Sequence, residues 1–316
     1  MIMEDKLLGL VIPSRNNPEK LQRTITALAL QNCRELRTVV IGSGDNVSEV
    51  IAPFTEEFHL DYIHSDQGGQ VYQRTLGVKQ LLQEGIRYIG FWDDDLIPDS
   101  GCLSEIEAFI KDKNAGGLFD FAFSLNIQNE VSFDEIPFRA VQRLLKRVGS
   151  KPGQVTTTGM NTPIANVSSN TETQWVGGGY TIWSASILRK YPQNPMRTTH
   201  AAGEDLIYSY PIGKMLPLFV CAHAKVIHND SSQENPDWIE FRAERTILAR
   251  LYFCDQHEEI NTLHNVFAEL IYWTFGLLVP SKNSGRKFVG FLKGVKRYYS
   301  GKEKGRAVLD DETFQA

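Results

Sequence analysis

The sequence is short of several things, and each shortage closes a possibility. Its only cysteines, Cys33, Cys102, Cys221 and Cys254, form no Cys-x-x-Cys pair, so neither a thiolate zinc site nor a disulfide framework is indicated. No apolar run approaches the ~20 residues needed to span a bilayer. The apolar run Leu7–Ile12 is too short for a signal peptide and stops at Pro13, so none is expected, and the Asn-x-Ser sequons at Asn46, Asn166 and Asn229 carry no meaning without one. Positive charge is not in excess: 33 Lys and Arg against 38 Asp and Glu leave a net charge of −5, which argues against a nucleic-acid partner. No Gly-x-Gly-x-x-Gly follows the first expected strand, and Gly42-Ser43-Gly44 lacks the third glycine of that fingerprint, so adenine dinucleotides are not expected. No internal repeat is present. The 316 residues are 42% hydrophobic, ample for a buried core in one large or two moderate domains. A cytoplasmic enzyme is expected.

The first third alternates between strand and helix periodicities. Leu7–Pro13 has the character of a buried strand, and Pro18 opens a helix with Leu21, Ile25, Leu28 and Ala29 on one face. Arg37–Ile41 and Leu60–His64 read as further strands. Val71–Glu84 reads as a helix with Leu76, Leu81 and Leu82 inward, stopped at Gly85. Tyr88–Trp92 is a fourth strand running directly into Asp93-Asp94-Asp95. This alternation predicts an α/β fold with a mostly parallel sheet. Ligands of such sheets sit at the carboxyl ends of the strands, where Ser14–Asn16, Gly42–Asp45, Asp66–Gln70 and Asp93–Asp95 would gather.

Further on, Phe119–Leu125 predicts a strand and Pro137–Val148 a helix. Gln154–Gln174 is a long polar loop, a feature that in compact domains is usually functional or mobile. It leads through Trp175-Val176-Gly177-Gly178-Gly179-Tyr180 into another strand. Asp237–Phe253 and Asn261–Leu278 read as two helices that could pair as a hairpin. In the tail, Lys282–Arg306 holds nine basic residues and one acid, with Phe288, Phe291, Leu292, Val295 and Tyr299 at helical spacing. Two readings stay open: a helix packed on the domain, or peripheral contact with an anionic membrane through 282–306.

The acidic triplet gains meaning from its position. Short acidic runs also arise by chance, and Asp310-Asp311-Glu312 is one to which no function is assigned. Asp93–Asp95, however, follows an apolar strand, where crowded carboxylates lose hydration and favour a bound cation. Oxygen-rich sites suit Mg²⁺ or Mn²⁺.

From Leu7 to about Asp230 the sequence resembles the inverting glycosyltransferases of family 2, which have the GT-A fold. Six segments carry the resemblance, in order: Leu10–Asn16; Gly69–Gly77 with Arg74, where Thr75 replaces the Asn of an Arg-Asn-x-Gly core; Asp93-Asp94-Asp95; Trp175–Gly179; Gly203-Glu204-Asp205; and Val226-Ile227-His228. The resemblance implies a Rossmann-like GT-A domain over 1–232, with its nucleotide-sugar half at about 1–117 and its acceptor half at about 118–232. A helical C-terminal extension over 233–316 would follow.

The roles are those the resemblance implies. Asp95, with Asp93 and His228, would hold Mn²⁺ or Mg²⁺. Asp93 could also meet the ribose, and Asp94 could share either role. Asp205 would be the general base and Glu204 would orient the acceptor. Pro13, Ser14, Arg15, Asp45 and Arg74 would line the nucleoside-diphosphate sugar, and Trp175, Gly177 and Gly178 the sugar or acceptor side. The acid that family members place just after the second strand is missing, and Asp45 comes three residues late, which leaves the nucleotide open. The acceptor would be a glycan or a lipid-linked glycan, in surface polysaccharide synthesis, with the enzyme cytoplasmic or peripheral at the inner membrane face. The alternative is a non-catalytic GT-A domain that binds a sugar nucleotide or glycan. A sugar-nucleotide pyrophosphorylase fits less well, because Ser14–Pro18 contains no glycine.

Overall fold

The computed structural model describes residues 7–31, 33, 36–55, 59–194, 196, 198, 201–229, 235–278, 283–301 and 308–310. Strands β1 (Leu8–Arg15), β2 (Arg37–Ser43), β3 (Leu60–His64) and β4 (Tyr88–Trp92) lie parallel in the order β3-β2-β1-β4. Helices α1 (Pro18–Ala29), α2 (Ser48–Ile51) and α3 (Gln70–Gln83) lie in the connections. The centre of this half is buried on both faces, so β1 is apolar throughout Leu8–Pro13 rather than alternating. Leu10, Ile12, Val40 and Trp92 pack with α1 on one side of the sheet. Their neighbours Val11, Val39, Ile41 and Phe91 pack with Leu81 of α3 on the other, as the two-residue period of a strand requires.

Beyond β4 come β5 (Leu96–Pro98), α4 (Cys102–Ala115), β6 (Ala122–Ile127), α5 (Arg139–Leu144), β7 (Thr171–Thr173), β8 (Tyr180–Ser184), α6 (Ala185–Lys190), α7 (Glu204–Gly213) and β9 (Leu218–His228). The sheet continues β4-β8-β6-β9-β5, with β7 also against β9. The parallel arrangement expected from the sequence belongs to the first four strands and to the pairing of β6 with β9. β8 runs antiparallel to both β4 and β6, and β5 antiparallel to β9. The helix expected over Pro137–Val148 is confined to α5, because Phe138 and Lys146 adopt left-handed backbone at φ 50° and 56° on either side of it.

Three helices follow: α8 (Pro236–Asp255), α9 (Thr262–Leu278) and α10 (Ser284–Tyr299). Phe253 and Cys254 of α8 share a core with Trp175, Leu206, Tyr210 and Val220. The expected α8–α9 hairpin is not the main contact; α8 lies chiefly along α10. Two glycines permit the close approach. A Cβ on Gly290 would come within 2.3 Å of the Glu240 carbonyl oxygen, and one on Gly294 within 2.1 Å of Ile247 Cγ2. Phe291 is buried there, with Phe288 and Val295 partly covered. Arg286 meets Asp237 at 3.2 Å, Arg297 meets Glu244 at 3.6 Å, and Lys293 pairs with Glu240. Much of the apolar stripe and basic charge that could have faced a membrane is thus spent on α8, while Leu292 and Tyr299 stay exposed. Lys282 and residues 302–306 of that tail lie outside the described residues. Among the described residues no helix is long and apolar enough to cross a membrane.

Candidate active site

Two strand registers assemble the carboxylates. Trp92 of β4 pairs with Tyr180 of β8, so the Asp93 N–H donates to the Gly179 carbonyl at 2.8 Å. Leu96 of β5 pairs with His228 of β9, which sets the imidazole beside Asp95. His228 Nε2 and Asp95 Oδ1 are 2.9 Å apart, and Lys20 of α1 reaches Asp95 Oδ2 at 3.2 Å. Ligand atoms of Asp93, Asp95 and His228 all lie within 4.8 Å of one another. Burial opposes ionisation of Asp95, but His228 and Lys20 hold its carboxyl below the ordinary range. The bonds to Asp95 and Glu130 push His228 up to about 10. Two carboxylates and an imidazole in this setting are a donor set suited to Mn²⁺ or Mg²⁺.

Asp94 turns the other way. Its Oδ2 accepts from Ser14 Oγ at 2.7 Å and its carbonyl from Thr24 Oγ1 at 2.8 Å. Burial, with like charge from Asp95 and Asp93, pushes it up to about 7. It braces the loop against β1 and α1 and stands apart from the metal-ligand group. Gln70 Nε2 donates to Asp93 Oδ1 at 2.7 Å.

Arg74, expected to contact substrate, lines the cleft described below and is held there by two carboxylates. The residue is 0% exposed. Its Nη2 donates to Asp93 Oδ1 at 2.9 Å and its Nη1 to Glu204 Oε1 at 2.5 Å. The other oxygen of Glu204 accepts from Gln193 Nε2 at 2.6 Å. Glu204, expected to orient the acceptor, has both oxygens engaged by protein; the pair ties α3 to α7, and both residues line the cleft that holds Asp93 and Asp205. Burial of such a pair is tolerated because every charge has a partner.

The glycine run serves these carboxylates. A Cβ on Gly178 would lie 2.3 Å from Glu204 Oε1, one on Gly179 within 1.8 Å of Asp93 Oδ2, and one on Gly177 within 2.2 Å of the Tyr180 ring. Gly179→Ala should therefore cost about 1–3 kcal/mol, as overpacking does. A lowered urea midpoint, with weakened nucleotide binding, checks it. Trp175, expected beside a sugar, is 5% exposed and donates to the Thr162 carbonyl from inside the core. Pro13 and Ser14 are buried at the end of β1. Arg15 and Asp45 are exposed, Arg15 lying over Gly68 and the Asp45 N–H bound by Asn16 Oδ1 at 2.9 Å. These two remain at the carboxyl ends of β1 and β2, where a nucleotide would lie.

Asp205 opens α7, beyond the left-handed Gly203 at φ 70°. Its Oδ1 accepts from the Leu206 N–H at 2.8 Å. Burial and the neighbouring Glu204 push its carboxyl up to about 6, within reach of a general base working near neutral pH. Asp205 shares a cleft of about 270 Å³ with Asp93, Gly178, Gly179, Arg242 and Thr246.

Sequence reasoning found the acids and His228, but not Lys20, Gln70 or Gln193. Lys20 and Gln193 stand outside every segment that carries the resemblance, and Gln70, inside Gly69–Gly77, takes no role from it; each reaches the site because α1, α3 or the segment after α6 is folded against it. Arg242 and Thr246 come from α8, outside every segment that carries the resemblance.

Residues 10–152 match the family model described as Glycosyl transferase family 2. The chain carries a family 2 glycosyltransferase domain. Glu204, Asp205 and His228 lie beyond the matched residues. Solved structures similar to this glycosyltransferase include S. aureus TarS 1-349, at TM-score 0.54 and 12% identity over 92% of this chain and 80% of that one. The same TarS segment in complex with UDP-GlcNAc has TM-score 0.52 and 15% identity, with the same coverage. A mannosyltransferase, PcManGT from Pyrobaculum calidifontis, in complex with GDP-Man and Mn²⁺, has TM-score 0.57 and 11% identity over 95% and 90%. At these identities the likeness concerns the fold, which is GT-A. No curated protein matches the sequence of this glycosyltransferase.

Proposed function

We propose that this glycosyltransferase transfers a sugar, with inversion, from a nucleoside-diphosphate sugar to a hydroxyl of a glycan or lipid-linked glycan. Asp93, Asp95 and His228 would hold Mn²⁺ or Mg²⁺. The observation that supports the reading is that Asp93, of the acidic cluster, and Asp205 line one cleft.

A cation held by these residues would supply Lewis-acid stabilisation of charge on the departing diphosphate. His228 must give up its proton to serve as a ligand. The acceptor oxygen attacks the anomeric carbon as the bond from that carbon to the β-phosphate oxygen breaks, its electron pair leaving with the nucleoside diphosphate. Asp205 takes the hydroxyl proton. Arg74 and Glu204, which also line the cleft, position Asp93 and the start of α7. Arg15 and Asp45 border the nucleotide, and Gly178 and Gly179 form cleft wall.

A thermal-shift panel of UDP, GDP, dTDP and CMP, each with and without Mn²⁺, tests the reading. A ligand at a hundred times its Kd adds about 2.7 kcal/mol. One diphosphate should raise the melting temperature only with metal present. Shifts that ignore the metal would remove Asp95 and His228 from donor binding, and no shift at all would favour a non-catalytic glycan-binding domain.

A further inference from the structure

Lys20 touches the acidic cluster yet takes no part in the proposed reaction. It stands in the first turn of α1, two residues after Pro18. That turn is the positive end of the helix dipole, which favours acids and disfavours cations. The ammonium nonetheless faces the acidic loop: Lys20 Nζ lies 3.2 Å from Asp95 Oδ2, and the two side chains are only 21% and 13% exposed. Thr24, one turn further along the same face of α1, donates to the Asp94 carbonyl at 2.8 Å. Two bonds one turn apart therefore fix that face of α1 against the loop.

The contact falls on a carboxylate of the metal-ligand group. Asp95 Oδ1 is 2.9 Å from His228 Nε2, and Oδ2 faces Lys20, so neither oxygen is idle. The other carboxylate, Asp93, accepts from Arg74 Nη2 through Oδ1 at 2.9 Å. Each carboxylate that would draw a dication is thus already beside a cation of the protein. The two cations differ. Arg74 is buried, divided between Asp93 and Glu204, and built into the join of α3 and α7. Lys20 is partly exposed, and its ammonium is a compact point charge on a flexible stem. A neutral donor at that place would merely orient Asp95. An ammonium also sets a full positive charge close to where the dication must sit, and in a partly buried site that repulsion is weakly screened.

We propose that Lys20 is a counter-ion that keeps bare metal out of the site, so that Mn²⁺ or Mg²⁺ is held tightly only once a nucleoside diphosphate is present. The negative charge of the diphosphate offsets both cations and removes the repulsion. Linkage is reciprocal, so departure of the diphosphate loosens the metal in turn. Lys20 is on this account a positioning residue, acting through Asp95. The assignment rests on the proposed metal site of Asp93, Asp95 and His228.

Equilibrium dialysis of the EDTA-stripped full chain against buffered free Mn²⁺ tests it, with and without a mixture of UDP, GDP and dTDP. Lys20→Met and Lys20→Gln remove the charge and suit a helix, and Lys20→Arg keeps the charge. Without nucleotide, the neutral variants should bind Mn²⁺ about tenfold more tightly than wild type, the lower end of what outer partners of metal ligands contribute. Lys20→Arg should bind it as weakly as wild type. With the diphosphates present, the gap between neutral variants and wild type should narrow. Equal or weaker Mn²⁺ binding in the neutral variants, tightening in Lys20→Arg as well, or a gap that the diphosphates leave in full overturns the proposal. Adding Asp95→Ala separates that failure from failure of the metal site. Mn²⁺ binding that Asp95→Ala abolishes leaves the site standing whatever Lys20 does, and binding that survives Asp95→Ala removes the site and the role of Lys20 together.

Discussion

Asp95→Ala should lower transfer about a thousandfold and abolish the metal-dependent part of nucleotide binding. Asp95 lies between His228 and Lys20, and Asp93, the other carboxylate of the ligand group, is already shared with Gln70 and Arg74. Without Asp95 the cluster keeps one carboxylate and an imidazole, too little oxygen for a hard dication. A preorganised electrostatic contact at the developing charge is worth about 2.7–4 kcal/mol, and ~4 kcal/mol is about a thousandfold in rate. The same substitution returns the His228 pKa toward its ordinary value, because the bond to Asp95 is the largest cause of its elevation. Calorimetry of the diphosphate with and without Mn²⁺, together with an NMR titration of His228, checks both effects. Wild-type metal dependence in Asp95→Ala would place the cation elsewhere.

Asp205→Asn should reduce transfer by about a hundred- to ten-thousandfold, the usual contribution of a positioned base, and leave metal-dependent nucleotide binding nearly unchanged. Asparagine keeps the acceptor for the Leu206 N–H, so the start of α7 should survive. The wild type carries a pH signature. A base works deprotonated, and Asp205 is raised to about 6, so kcat should climb between pH 5 and 7 and level off above. In Asp205→Asn the residual rate should lose that rise. The stability effect has the opposite sense: a carboxyl whose pKa is raised on folding stabilises the fold when protonated. That contribution is complete below about pH 4 and is lost as pH rises through about 6. A transfer rate in Asp205→Asn equal to the wild type would remove the residue from the reaction.

Some of this was legible in the residues and some was not, for reasons that differ by element. The strands β1 to β4 and the helices α1 and α3 announce themselves because burial is periodic. A parallel strand covered on both faces must be apolar throughout, and a helix covered on one face must repeat every three or four residues. The triplet Asp93–Asp95 could be placed at a strand end for the same reason. Side-chain partners could not. Arg74 reads as a nucleotide contact along the chain, yet it is taken by Asp93 and Glu204, the latter 130 residues away. Trp175 beside three glycines reads as a sugar platform, yet its indole closes on Thr162 within the core. The glycines beside it are required by the carboxylates of Asp93 and Glu204 and the ring of Tyr180. The basic helix α10 reads equally as a membrane or a domain contact, and the domain contact is made through Gly290 and Gly294, whose missing Cβ atoms let it seat on α8.

The sequence by itself determined the α/β class, the parallel half-sheet and the supply of acids at its carboxyl edge, because local periodicity and strand-end position are properties of consecutive residues. Only the tertiary structure decided which of those acids converge. The β5–β9 register brought His228 to Asp95, the β4–β8 register set Asp93 against Gly179, and the packing of α8 carried Arg242 to the cleft that holds Asp205. Such pairings depend on closing loops of many tens of residues, and a chain's local pattern does not say which distant segments will pay for that closure with burial.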